Sequence, residues 1–136
     1  MSEQNVEMVK QMYAAFGRGD IPAILDHIAE NVHWGYSVRE VVPWHAPIKG
    51  KANLPDFFSA FGANTDVQAF EPKEFIHSGD HVVVALHIVF TVKRTGRKVD
   101  MDQIHWWTFD RQGKAVRMVH FEDSAQVLAA GQGSVP

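Results

Sequence analysis

Between the turn signals Ser78-Gly79-Asp80 and Arg94-Thr95-Gly96-Arg97 runs a strand, His81 to Lys93, that is apolar on both faces. Successive strand side chains point to opposite sides, so Leu86, Ile88, Phe90 and Val92 share one face and Val83, Ala85 and Val89 the other. Such a strand needs two covers. One is supplied by the helices that precede it. For the other an isologous dimer, in which a second copy packs on the same face, is the simplest expectation.

The helices are read from spacing. Val6, Val9, Tyr13 and Phe16 form a helical stripe that Met12 widens, with Ser2 as N-cap and Gly17 as the stop. Asp20 caps a shorter helix with Pro22 in its first turn and Ile24, Leu25 and Ile28 on its apolar face. Asn31 to Tyr36 reads as a strand and Pro43 to Gly50 as a loop. Asn53 caps a third helix, with Pro55 in its first turn and Leu54, Phe57, Phe58 and Phe61 in register.

From Thr65 the pattern becomes β. Thr65 to His77 is broken at Pro72, which predicts an edge position or a bulge. Strands Lys98 to Asp110 and Lys114 to Glu122 are joined at Arg111-Gln112-Gly113. Asp123 or Ser124 caps a last short helix through Ala130 that Gly131 ends, and Gln132 to Pro136 reads as a frayed tail. Three helices beside an antiparallel sheet predict one α+β domain over residues 1–136.

Composition narrows the function. The chain has no cysteine, which excludes a disulfide scaffold, a thiolate nucleophile and any Cys-based metal site. A net charge of -3 argues against nucleic acid as partner, and Lys93, Arg94, Arg97 and Lys98 belong to a hairpin tip. No apolar run approaches a membrane span and the first residues do not read as a signal peptide, so a cytoplasmic protein is expected. The eight histidines contain no HxH pair, His77 and His81 are four apart only across the Ser78-Gly79-Asp80 turn, and no phosphate loop, GxSxG or dinucleotide fingerprint occurs. Neither metal nor cofactor is expected.

Several stretches carry a resemblance: Tyr13-Ala-Ala-Phe-Gly-Arg-Gly-Asp20, Ala29-Glu-Asn-Val-His-Trp34, Ser78-Gly-Asp-His-Val-Val-Val84, Thr95-Gly-Arg97 and Phe121-Glu-Asp-Ser-Ala-Gln-Val-Leu128. With the order of elements, they make the chain resemble the SnoaL-like proteins of the nuclear-transport-factor-two-like superfamily, which includes ketosteroid isomerases. The resemblance implies a cone-shaped curved sheet wrapped around three N-terminal helices, an apolar pocket at the open end, a short C-terminal helix and a homodimer through the convex face. It also places His105 where ketosteroid isomerases carry a protonated aspartic acid, and His120 where SnoaL-like cyclases and limonene-type epoxide hydrolases carry an acid/base aspartate. The isomerase base falls on Tyr36 and its oxyanion tyrosine on Met12, next to Tyr13. The epoxide hydrolase arginine and aspartate fall on Leu86 and Ile88. The chain therefore departs from both activities at carboxylates they require.

Strand parity selects the same pocket face. Met101, Gln103, His105, Trp107 and Phe109 share a face; so do Val116, Met118, His120 and Glu122, then Leu86, Ile88 and Phe90, and Trp34 with Tyr36. With Phe16, Phe58 and Phe61 from the helices, these outline a site for a small hydrophobic molecule. His120 is the candidate proton carrier, with His105 and Tyr36 as partners that steady an oxygen. Each has a structural alternative as a satisfied pocket-lining side chain. Glu122 reads as a rim carboxylate, Asp123 as a cap, and Asp100 and Asp102 as facing away from His105. Trp44 reads as a wall; the direction of His45 is left open.

The expected function is cofactor-independent acid–base chemistry on a small hydrophobic carbonyl or hydroxyl compound, as isomerase, dehydratase or cyclase. The alternative is a non-catalytic binding or protein-interaction module of the same fold. Centring the last hairpin near Gln112 pairs residues whose numbers sum to about 224, which brings His120 within one residue of His105. A bulge in the turn shifts the register by one, so strand pairing alone does not place them exactly; if the shift puts the two on one face, the rings are expected within ~6 Å, with a pH dependence between about 5 and 8.

Overall fold

The structure is a computed structural model that describes residues 2–38 and 42–132. The N-cap assignment to the Ser2 side chain and the tail residues 133–136 lie outside what it describes.

Helix α1 spans Ser2–Gly17 and α2 spans Ile21–Leu25. The stop of α1 is Gly19, not Gly17: Gly19 has φ +70°, its N–H bonds Phe16 O, and Asp20 N–H reaches Ala15 O. These two bonds satisfy carbonyls that the helix end would otherwise leave open. Asp20 caps α2 as expected, accepting from Ala23 N–H at 3.2 Å. Ile28 belongs not to α2 but to strand β1, Ile28–Tyr36.

A 3₁₀ turn at Pro43–His45, the short strand β2 at Ile48–Lys49 and a second 3₁₀ turn at Lys51–Asn53 lead into α3, Leu54–Asn64. Asn53 does not cap α3 with its side chain; its amide donates to Lys49 O at 2.9 Å instead.

Strands β3 (Thr65–Ser78), β4 (His81–Val92), β5 (Arg97–Phe109) and β6 (Ala115–Phe121) form the antiparallel run, and α4 covers Ser124–Gln132. Gly131 lies inside α4, so it does not end that helix. Asp123 accepts from Gln126 N–H at its start.

The six strands make one curved, unclosed sheet in the order β2-β1-β6-β5-β4-β3. β1 joins β6 in parallel, the one parallel pairing among the described strands, and places Trp34 beside Met118 and Tyr36 beside His120. β3 is an edge, and its register shifts between Pro72 and Glu74, so Pro72 is both at an edge and at a bulge.

On β4 the residues Val82 to Val92 of even number are all buried, while Val83, Ala85, His87, Val89 and Thr91 are half-buried on the other face. The buried set meets Val9, Met12 and Ala15 of α1 and Leu54 and Phe57 of α3 in a single core. No helix among the described residues is long and apolar enough to cross a membrane.

Candidate active site

The β5–β6 hairpin sets the geometry. At the turn Phe109 pairs with Ala115; Val116 is then bulged, and Thr108 pairs with Arg117. The bulge shifts the register by one and puts His105 directly opposite His120, with ring centroids 4.8 Å apart at 75°. It also leaves Val116 half-buried, while Ala115 takes the core position expected of it.

The two histidines border a narrow cavity of ≈ 60 Å³. Its walls include Trp34, Tyr36, Phe16, Phe58, Phe61, Ile88, Phe90, Gln103, Trp107, Met118 and Glu122, all assigned to the pocket from sequence. Leu86 is not among them. It is 1% exposed and packed in the core, on a strand that α1 packs against. Sequence reasoning did not assign Met12, Tyr13, Ile24, Phe57 and Phe70, which also line the cavity. Tyr13 and Phe57 lie on the helical stripes, so their direction was readable. Phe70 follows the register shift between Val67 and Ala69, which parity alone does not show.

The polar groups form a chain whose direction is fixed at both ends. Indole Nε1–H of Trp107 can only donate, and it does so to the Tyr13 hydroxyl at 3.1 Å. At the other end the Glu122 carboxylate only accepts: from Gln103 Nε2–H at 2.9 Å and from His45 Nε2–H at 2.9 Å. With its amide nitrogen turned to Glu122, Gln103 presents Oε1 to His105 Nε2–H at 2.8 Å. His105 Nδ1 is then the acceptor for Tyr13 O–H at 2.7 Å. Both ring nitrogens of His105 are thus engaged by protein.

Glu122 is no rim carboxylate: its side chain is 2% exposed, and that of His45 is fully buried. The loop after β1 turns His45 inward onto it, a direction the sequence left open.

His120 differs from His105. Its Nδ1–H donates to Gly35 O at 2.8 Å, because a carbonyl can only accept. Burial pushes its pKa down to about 4, against the opposing pull of the Gly35 carbonyl and Glu122. The ring is therefore neutral near pH 7, and Nε2 holds a lone pair with no hydrogen-bond partner among the described residues.

Burial, and then His120, lower the pKa of His105 well below its usual value. Tyr36 stacks on His120 at 4.1 Å and 11°, with His45 on it at 4.1 Å. Burial and the nearby Glu122 raise its pKa, so it keeps its proton. Burial likewise raises that of Tyr13.

The remaining histidines are elsewhere. His33, His77 and His81 are exposed, and His87 lies on the far face between Asp100 and Asp102, at 2.6 and 2.8 Å.

The family model described as SnoaL-like domain matches residues 9–118. The chain belongs to the SnoaL-like family. Among solved structures, this SnoaL-like chain is similar to an NTF2-like protein from Burkholderia xenovorans LB400: 26% identity over 97% of this chain and 98% of that one, with a TM-score of 0.86. It is also similar to TerC, co-crystallised with polyporic acid, at 27% identity over 95% and 98% of the two chains and a TM-score of 0.81. A third structure, from Mesorhizobium loti, carries the provisional name SnoaL-like polyketide cyclase. It shares the fold at 20% identity, over 84% of this chain and 95% of that one, with a TM-score of 0.70. No curated protein matches the sequence.

Proposed function

We propose that the cavity binds a small apolar carbonyl or hydroxyl compound and that His120 moves a proton on it, without a cofactor, in an isomerisation, dehydration or cyclisation. One observation carries this reading: a neutral imidazole, held by Gly35 O through Nδ1, presents an unpartnered Nε2 in a cavity walled by aromatic rings. A lone pair so placed takes a proton from an acidic carbon or hydroxyl and gives it back elsewhere on the same molecule. Tyr36, which keeps its phenolic proton, steadies the oxygen where charge develops. His105 acts as a positioning residue, since neither of its nitrogens is open to a ligand. A similar solved structure, TerC, was co-crystallised with polyporic acid, which supports a small organic molecule as the ligand.

The test uses 2-tetralone, an enolisable aryl-fused ketone, in D₂O near neutral pH, with loss of its α-proton signals followed by NMR. The protein is expected to accelerate exchange over buffer. His120→Gln is expected to remove about 10²–10⁴-fold of the acceleration, while binding, read from tryptophan emission, persists. Binding of the ketone with no acceleration by the native protein would replace this reading with the non-catalytic binding module.

A further inference from the structure

The inner face of β3 runs on past the cavity. Val67, Phe70, Pro72 and Phe75 pair with Phe90, Ile88, Leu86 and Val84 of β4, so all four are on the side of the sheet that carries the helices. Those β4 partners are buried, whereas Val67 is 40% exposed and the other three β3 residues are half-buried. Between this strip and α1 an open groove of ≈ 580 Å³ is left, against ≈ 60 Å³ for the cavity beside the histidines. Small residues of α1 keep it open: Ala14 contributes one methyl, and a Cβ built on Gly17 would meet nothing within 4 Å. Its size is that of a small-molecule site, which is typically about 300–1,000 Å³.

Groove and cavity stand back to back. Tyr13, Phe16 and Phe70 line both, with the Phe70 ring 5.2 Å from that of Tyr13 and 5.3 Å from that of Phe16. The Tyr13 hydroxyl is held on the cavity side by His105 and Trp107. One charge remains on the groove side. Lys10 is the single ionic side chain among the lining residues, and its Nζ lies 5.2 Å from the centre of the Phe75 ring. Glu7 is three positions earlier on α1, a spacing that allows an ion pair, yet Lys10 makes none among the described residues. The acids of β3 do not compete for it: Asp66, Glu71 and Glu74 pair with Thr91, His87 and Ala85 on the far face. A ring face engages only part of an ammonium that carries three donors.

We propose that this groove is a second ligand site, for a free monoanionic aryl carboxylate whose ring lies against Val67, Phe70 and Phe75 and whose carboxylate meets Lys10. The lining sets both halves of that class. Aromatic side chains on the strand and the helix favour a flat ring, which they contact edge to face, over an alkyl chain. A single unpaired cation at the side of an apolar groove calls for one negative charge and leaves a second without a partner. The inference stands apart from the proposed function, since Lys10, Val67 and Phe75 do not line the cavity.

The test compares 2-naphthoate with 2-naphthamide, its uncharged counterpart, on the full chain with ¹³C-labelled valine and methionine methyls. Val67 reports the groove and Met118 the cavity, each assigned as the resonance lost in Val67→Ile or Met118→Leu. The acid is expected to shift the Val67 methyls, to leave Met118 unmoved and to bind more tightly than the amide. Lys10→Met, a change at an exposed helical position, is expected to weaken the acid about threefold to fivefold and leave the amide within twofold. Added salt is expected to remove the preference in the native protein. An acid that shifts Met118 and not Val67, equal affinity for acid and amide, or an unchanged acid affinity in Lys10→Met overturns the inference, as does an acid that fails to bind at millimolar concentration. Proton transfer by His120 is read separately with 2-tetralone, so either reading can fail alone.

Discussion

Glu122 organises the site from within the cavity wall. Its two oxygens take N–H groups from Gln103 and His45, and the orientation of Gln103 fixes the tautomer of His105. Replacing it with glutamine sets an amide N–H₂ against one of two donors. Glu122→Gln is expected to cost about 1–3 kcal/mol in chemical unfolding and to alter the ¹⁵N shifts of His105 without removing His120 from the cavity. Parity placed Gln103, His105, His120 and Glu122 on one face from the sequence alone, yet their hydrogen bonds were not legible. The deciding partner of Glu122, His45, comes from a loop, and loop direction is not encoded in a period of two. Tyr13 was visible as part of a helical stripe, but only the meeting of α1 with β5 shows what its hydroxyl does.

Protonation belongs to the same scale. The expected titration between pH 5 and 8 does not follow from the structure, because burial holds His120 at about 4. The sign is then fixed: the basic form is the neutral one, so proton transfer is flat near neutrality and falls as pH drops towards 4. Stability has the same direction. The unfolded chain protonates His120 near 6.5 and the folded chain only near 4, so acid favours unfolding across that window. His105 adds to the effect with the same sign. His120 alone is expected to remove about 3 kcal/mol between pH 6.5 and 4, measured as a falling midpoint in denaturant titrations that is smaller in His120→Gln.

The elements were legible where periodicity was strong and blurred where a single backbone conformation decides. The stop of α1 shows the difference, since composition offers two glycines and only geometry chooses. Gly17 is helical with open space around its missing Cβ, whereas Gly19 adopts φ +70°. Gly17→Ala is expected to stabilise the protein by about 0.5–1 kcal/mol and Gly19→Ala to destabilise it by about 1 kcal/mol or more. Thermal unfolding of the pair checks both; the same sign for both would place the stop elsewhere. The β5–β6 register shows the opposite case. Turn chemistry predicted a pairing to within one residue, and the bulge at Val116 supplied the last step. The parallel alignment of β1 on β6 was not readable, because nothing local to Asn31–Tyr36 says which strand it joins. That alignment is what brings Trp34 and Tyr36 to His120.

At the scale of the whole molecule, the sheet face turned away from the helices is divided. Register lines up Ile76, Val83, Trp106 and Val119 in a row across four strands, with Glu74, Ala85, Ile104 and Phe121 in the next. Ile76, Trp106 and Phe121 are 52%, 43% and 39% exposed. Farther along β4 and β5 the face becomes ionic, where His87 lies between Asp100 and Asp102. Both its ring nitrogens face acceptors, a geometry that suits the imidazolium, and both carboxylates raise its pKa. An apolar row beside an ionic cluster is the pattern of an interface with a dry centre and a polar rim. A second copy related by a twofold axis would place the row against itself. The expected outcome is a sedimentation mass of about twice 15.3 kDa at micromolar concentration, and the chain mass for Trp106→Glu with its unfolding transition retained. Trp106 is the residue to change because it is central to the row and its indole bonds only His81 on the same face. A native protein that sediments as a monomer at tens of micromolar would leave this row without the cover its composition calls for, and the dimer would have to be abandoned.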